Sequence, residues 1–233
     1  AINHPVNTGA DIEKFELKGF RLLHLETFKS PLFLNANDIV ASGQNQFYLT
    51  ADHNSKNLWT RVLQDLVVFP SGRVRYFTGK EVQTLQHKFA YSNGIALNPL
   101  QNRLYVSSTL GDVVDVFARQ STLEEWKHIQ KFQLKGHADN LSWDLDGNLN
   151  VALQGSKWDF ARHALDENFK VSSRIAKLVV GNDGKIKSMK NIFEDKLGQK
   201  IAGASVGAAW GNQLLVGAVF ENHFLRCQHS MEP

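Results

Sequence analysis

The chain has 233 residues, of which 42% are hydrophobic and 21% are charged, a composition typical of a globular protein with a substantial core. Its 26 basic and 23 acidic residues leave a net charge of +3, and no basic run alternates with aromatic residues, which argues against a nucleic-acid partner. No apolar run approaches the roughly 18–20 residues that would span a bilayer. The single cysteine, Cys227, excludes an internal disulfide.

The first five residues, Ala1-Ile2-Asn3-His4-Pro5, have neither the basic nor the apolar region of a signal peptide. They resemble the end of a strand followed by a turn, and the chain does not begin with Met. We therefore expect the chain to be part of a longer protein, so nothing about location follows from its N-terminus.

Short runs rich in Val, Ile, Leu, Phe and Tyr alternate with turn signals along the chain, which is the pattern of β-hairpins. The predicted strands are residues 47–49, 66–69, 73–77, 95–97, 104–107, 149–152 and 214–217. Helical periodicity is weak, and only residues 56–64 and 121–130 are candidates for short helices in loops. The pattern predicts an all-β fold.

A long repeat favours a β-propeller among the all-β folds. An asparagine stands at the start of an apolar strand at Asn37, Asn93 and Asn140, 56 and 47 residues apart, and a fourth start without asparagine falls at residues 203–206. Four-strand units of this length are typical of propeller blades. We predict a single β-propeller domain over residues 1–233, with about four and a half blades present and its N-terminal blade or blades missing.

The repeated asparagines suggest a shared site, because equivalent positions of propeller blades converge at one end of the central channel. Asp38 and Asp139 lie beside two of these asparagines. Amide and carboxylate oxygens suit calcium better than zinc or copper. The alternative is that each asparagine satisfies the backbone of a turn, which is a common role for this residue.

The ordered set of motifs resembles the paraoxonase/arylesterase family over nearly the whole chain. The segments are Asn3-His4-Pro5, Leu23-His24-Leu25, Asn37-Asp38-Ile39-Val40, Asp52-His53, Asn93-Gly94-Ile95, Asp139-Asn140-Leu141-Ser142 and residues 214–220. The resemblance implies a six-bladed propeller with two calcium ions and hydrolysis of lactones, aryl esters and organophosphates. It also implies a secreted or endoplasmic-reticulum setting.

The resemblance assigns roles to particular residues. It implies catalytic-calcium ligands at Asn37, Asn93, Asp139 and Asn140, and a structural-calcium ligand at Asp38. It implies a base or proton-relay role for His4, and it places Asp52 and His53 as a polar pair near the active site. Calcium would polarise the carbonyl of a lactone or ester while a histidine activates water. Direct attack or base catalysis by Asp139 is the alternative mechanism.

The chain also departs from the family pattern. It corresponds to the C-terminal two-thirds of a typical member, and the family draws a Glu, an Asp and a second active-site His from the region upstream. The family pairs the cysteine that Cys227 matches with an N-terminal cysteine. We therefore expect little activity from this segment by itself. The alternatives are a non-catalytic binding propeller and a propeller of the gluconolactonase or strictosidine-synthase type.

Overall fold

A computed structural model describes residues 1–5, 9–120, 125–156 and 169–228, together with the isolated residues 158, 159, 162 and 166. The chain divides into two compact units, Ala1–Ile95 and Ala96–Pro233. The elements whose full bounds are described are strands except for a 3-10 turn and one α-helix, and no helix of the described residues is long and apolar enough to span a membrane. The fold is therefore all-β, as the sequence predicts.

The first unit contains two antiparallel sheets in which strands follow one another in chain order. Their strands are β1 (Ile2–Asn3), β2 (Asp11–Lys18) and β3 (Arg21–Lys29) in the first sheet, and β4 (Ala36–Gly43), β5 (Gln46–Ala51), β6 (Arg73–Phe77) and β7 (Val82–Thr84) in the second. Phenylalanines form the core of this unit. Phe33 is fully buried, and the rings of Phe47 and Phe77 lie 5.0 Å apart.

The helix α1, Leu58–Leu66, is inserted between β5 and β6 and contributes nothing to that core. Asn57 caps its N-terminus by accepting the Thr60 N–H at 3.0 Å. None of its residues is buried, and Trp59 is 81% exposed. Polar contacts must therefore hold the helix in place.

The boundary between the units falls within β8 (Ser92–Leu97), the first strand of the third sheet. The other strands of this sheet are β9 (Arg103–Ser108), β10 (Val113–Arg119) and β11 (Trp126–Gln133). The fourth sheet contains β12 (His137–Trp143), β13 (Leu149–Gln154), β14 (Ser173–Val180) and β15 (Ile186–Asp195). The fifth contains β16 (Ala204–Trp210), β17 (Gln213–Ala218) and β18 (Leu225–Gln228).

Strand β13, a central strand of the second unit, contributes side chains to two hydrophobic clusters, one on each of its faces. Leu149, Val151 and Leu153 enter one apolar cluster, whereas Ala152 enters the cluster that contains Ile175. Successive side chains of a strand point to opposite faces, so a central strand can be buried on both faces, and in β13 this includes the polar residues Asn150 and Gln154. The continuous burial of β13 fits this arrangement.

Five sheets of three or four strands with this meander order are propeller blades, in rough agreement with the predicted four and a half. The predicted strands at 47–49, 73–77, 104–107, 149–152 and 214–217 lie within β5, β6, β9, β13 and β17. The predicted helix at 56–64 largely coincides with α1.

Two element predictions are wrong. Residues 66–69 do not form a strand, because Leu66 belongs to the last turn of α1 and the chain leaves the helix through Val67. A helix over 121–130 is contradicted from Trp126 onward, since these residues pair with β10 as strand β11; residues 121–124 lie outside the described residues. The insertion predicted around 157–167 also lies largely outside them.

Candidate functional site

Two of the predicted ligands, Asn37 and Asp38, lie at a β-bulge in β4. Ala36 pairs with Ala51 and Ile39 with Leu49, so three steps along β4 correspond to two steps along β5. The extra residue falls at Asn37-Asp38. A bulge bends the strand and redirects side chains out of the regular alternation, and bulges are common beside functional sites.

The same irregularity recurs in the second unit. In β12, Ala138 pairs with Leu153 and Leu141 with Val151, which puts Asp139 and Asn140 in a bulge. In β16 the register shifts between Ala204 and Val206. The predicted ligands of β4 and β12 thus share a local backbone irregularity as well as a residue type.

The Asp38 carboxylate is held by two backbone donors. Oδ1 accepts the N–H of Ile39 and Oδ2 accepts the N–H of Ile95, both at 2.8 Å. Burial raises the pKa of Asp38, and the two backbone N–H groups, which lower it, only partly offset that effect. No Lys, Arg or His of the described chain forms an ion pair with this carboxylate.

Thr50 joins the Asp38 and Asn93 segments. Its Oγ1 accepts the Asp38 N–H at 3.0 Å and lies 2.5 Å from the Asn93 carbonyl oxygen, to which it donates. Thr50 is fully buried and Asn93 is 6% exposed. The structure therefore brings the backbone of these two predicted ligands together through one hydroxyl group in the first unit.

In the second unit, Asp139 and Asn140 have separate partners. Gln154 Nε2 donates to Asp139 Oδ2 at 2.7 Å, and the Asp139 side chain is largely buried. Asn140 Nδ2 donates to the carbonyl oxygen of Ser205, the residue at the β16 bulge, at 3.0 Å. This bond orients the amide of Asn140 and leaves its Oδ1 available as an acceptor.

The donor set of these positions fits calcium chemically. Asn37, Asp38 and Asn93 in the first unit, and Asp139 and Asn140 in the second, offer amide and carboxylate oxygens with no sulfur or imidazole among them. A buried carboxylate without a cationic partner is costly unless a cation neutralises it. Asp38 is a partly buried carboxylate for which the described residues supply no cation.

The predicted polar pair, Asp52 and His53, follows β5 directly and is buried in the first unit. His53 is 2% exposed, and its Nδ1 lies 3.0 Å from Asp52 Oδ1. Its Nε2 lies 2.8 Å from Oδ1 of Asp65, a residue of α1. The imidazole is therefore held between two carboxylates.

These two carboxylates decide the protonation of His53. Burial lowers the pKa of the imidazole, but the hydrogen bonds and charges of Asp52 and Asp65 outweigh it and raise the pKa to about 9. The ring is then an imidazolium at neutral pH, with an N–H directed at each carboxylate. An imidazolium has no free lone pair to accept a proton, so in this state both ring nitrogens of His53 act only as hydrogen-bond donors.

His4 has a different environment. It is exposed, follows β1 immediately, and forms no hydrogen bond or ion pair with any described residue. The structure thus gives no partner to this predicted catalytic residue within the described part of the first unit.

Sequence reasoning missed several residues that contact the predicted ones, among them Thr50, Asp65 and Gln154. Gln154 ends β13 and Asp65 lies twelve residues beyond His53. The one available signal was the Arg61–Asp65 spacing, which places both charged groups on the same face of α1. That signal does not reveal what the face contacts.

Fold and donor set together describe a β-propeller protein with oxygen-rich bulges at the starts of its blades. A model of the arylesterase family matches residues 1–228, and the chain belongs to that family. Serum paraoxonase/arylesterase 2 of rat and of human are each 27% identical to this chain over 94% of its length. The chain spans 61% of the length of each.

Serum paraoxonase/lactonase 3 of rat is 32% identical over 62% of the chain and 41% of its own length. Among solved structures, a luciferin-regenerating enzyme matches with a TM-score of 0.55 at 15% identity, covering 92% of this chain and 68% of its own. The periplasmic gluconolactonase of Pseudomonas aeruginosa matches with a TM-score of 0.53 at 12% identity, over 92% and 58% of the two chains. At these identities the structural matches support the fold alone.

Proposed function

We propose that this protein is a calcium-dependent carboxylic ester hydrolase that acts on lactones and aryl esters. The observation that carries the proposal is Asp38, a partly buried carboxylate with no cationic partner among the described residues, in a member of the arylesterase family. The names of the relatives, arylesterase and lactonase, supply the two substrate classes.

The proposed calcium ligands are Asn37, Asp38 and Asn93 in the first unit and Asp139 and Asn140 in the second. Bound calcium would act as a Lewis acid toward the carbonyl oxygen of the ester. Gln154 and Ser205 orient the second-unit ligands through the bonds described above. Backbone N–H groups fix both oxygens of Asp38.

The proton roles follow from the charge states. His53 carries its proton at neutral pH and so stabilises negative charge near Asp52. This leaves His4 as the histidine proposed to take the proton from the attacking water, since its ring nitrogens are accessible. The alternative is that Asp139, whose largely buried carboxylate accepts a hydrogen bond from Gln154, acts as the nucleophile or base.

The test is hydrolysis of a lactone and of phenyl acetate, with acid release followed at constant pH in calcium and in excess chelator. Because the chain spans 61% of the relatives' length, the assay is run on this chain and on the same chain extended upstream. We expect calcium-dependent hydrolysis in the extended form and little in the chain by itself. A calcium-induced rise in thermal midpoint without hydrolysis in either form would favour a non-catalytic binding propeller.

A further inference from the structure

The helix α1 is attached to the first unit by its charged face. Its apolar residues are exposed, including Leu58, Trp59 and Leu63, so hydrophobic burial does not hold it. Its charged residues Arg61 and Asp65 are four apart and share a face. That face is directed at the Asp52–His53 pair.

Both charged residues of α1 contact the Asp52–His53 pair, and Arg61 also contacts Asn35, which donates to the backbone of His53. Asp65 Oδ1 lies 2.8 Å from His53 Nε2, and Arg61 Nη2 lies 3.9 Å from Asp52 Oδ2. Arg61 Nη1 donates at 3.3 Å to Oδ1 of Asn35, whose Nδ2 donates in turn to the His53 carbonyl oxygen at 3.1 Å. The helix therefore contacts the pair through a carboxylate and through a guanidinium.

Asp65 restricts both the rotation of the His53 ring and the choice of its protonated nitrogen. With Asp52 alone, the ring could turn about χ2 or change its protonated nitrogen, because only Nδ1 would be fixed. Asp65 fixes Nε2 as well, and the edge of the ring packs against Tyr91 with centroids 5.2 Å apart. Among the described residues, the titratable and charged groups beside the imidazole are Asp52 and Tyr91, together with Asp65 and Arg61 on α1.

We infer that Asp65 is a positioning residue that fixes His53 from the side opposite Asp52 and so makes α1 part of the catalytic apparatus. The inference rests on the proposed function for its catalytic consequence. The fixation of the ring by Asp65 does not depend on that function. It is supported by the distances from the two ring nitrogens to Asp52 and Asp65 and by the burial of His53. A helix that served only to cover the surface would not need a carboxylate at this position.

The test uses Asp65→Asn, which keeps the size and one acceptor oxygen but removes the charge, and Asp65→Glu as the conservative variant. Asp183→Asn is the matched control, because Asp183 is a half-exposed carboxylate of the second unit that pairs with Lys187. The His53 imidazole is followed by NMR of histidine-labelled protein over a pH series. Hydrolysis is measured as kcat and KM in the form of the protein that is active.

We expect D65N to lower the midpoint of His53 titration by about one pH unit, because it loses one of two opposite charges. We expect kcat to fall about tenfold while KM changes less than about twofold, the pattern for a group that orients a catalytic pair. D65E should recover part of both changes, and D183N should leave both at the wild-type values. Hydrogen exchange of the α1 amides reports whether the helix stays folded in each variant.

An unchanged His53 midpoint in D65N overturns the inference whatever the activity. An unchanged kcat in D65N, in a protein that hydrolyses the esters, also overturns it. If neither form hydrolyses any ester, the proposed function fails independently, and the NMR midpoint alone then decides whether Asp65 positions the ring.

Discussion

The carboxylate of Asp38 accepts the backbone N–H of Ile95 at 2.8 Å. This hydrogen bond links the bulge of β4 directly to β8, the first strand of the following sheet. The second unit repeats this relationship, since Asn140 in the β12 bulge donates to the Ser205 carbonyl oxygen at the β16 bulge. The polar residues at the bulges therefore join one blade to the next, and any calcium bound there would stabilise the same junctions.

Replacing Asp38 by Asn should separate its electrostatic cost from its role in calcium binding. The raised pKa means that the ionised carboxylate destabilises the calcium-free folded chain above the ordinary Asp pKa of 3.8, and this cost disappears as the pH falls. In chelator, D38N removes this cost but also one acceptor of a backbone N–H, so its thermal midpoint should lie within a few degrees of the wild-type value. In millimolar calcium the wild type should gain about 5 °C, and D38N should not.

Thermal midpoints in chelator and in calcium measure both effects, with D183N as the control. Calcium shifts of equal size in D38N and wild type would contradict the assignment of Asp38 as a ligand.

The protonation of His53 predicts a pH dependence of stability. Because its folded pKa of about 9 exceeds the ordinary 6.5, its contribution is fully present below pH 6.5 and is lost as the pH rises through 9. The loss should amount to roughly 3 kcal/mol relative to His53→Gln, whose side chain does not titrate. Urea unfolding of both proteins between pH 6 and 10 measures the difference, and a difference that stays constant across this range would refute the prediction.

Replacing Gln154 by Leu should destabilise the protein through Asp139. The carboxylate loses a buried donor at 2.7 Å, and a lost hydrogen bond to a charged group costs about 2 kcal/mol. The double variant with Asp139→Asn should recover much of that cost, which a double-mutant cycle in urea measures directly. Gln199→Leu, at an exposed glutamine, should change the free energy of unfolding by less than about 0.5 kcal/mol. Additive effects in the cycle would show that the two side chains are not coupled.

Two glycines of the second unit allow a test of how closely the backbone of another segment approaches Gly198. Gly198 and Gly211 have similar left-handed φ values of +61° and +57°. A Cβ at Gly211 would meet open space, whereas a Cβ at Gly198 would overlap the Val171 carbonyl oxygen. Gly211→Ala should therefore cost about 1 kcal/mol from φ alone, and Gly198→Ala about 3 kcal/mol or more. Chemical unfolding of the two variants compares them, and equal costs would contradict the predicted overlap.

Much of the fold could be predicted because central strands have a strong local pattern. The runs that became β5, β9, β13 and β17 are apolar and bounded by turn residues, and the repeat of asparagines at strand starts identified the blades. The prediction failed at residues 126–130, where pairing with β10 overrides a weak helical pattern. It also failed at Leu66, because α1 continues two residues beyond the predicted end at residue 64.

The residue types at the strand starts, and an all-β repeat that carries oxygen donors, can be read from the sequence. The burial and the charge of these side chains depend on the folded structure. Asp38 is partly buried without a cationic partner in the described chain, and His53 lies between Asp52 and Asp65, which raise its pKa. The reason is that desolvation and charge pairing depend on groups brought close by folding, such as the Ile95 N–H and the Asp65 carboxylate, which no local pattern reveals.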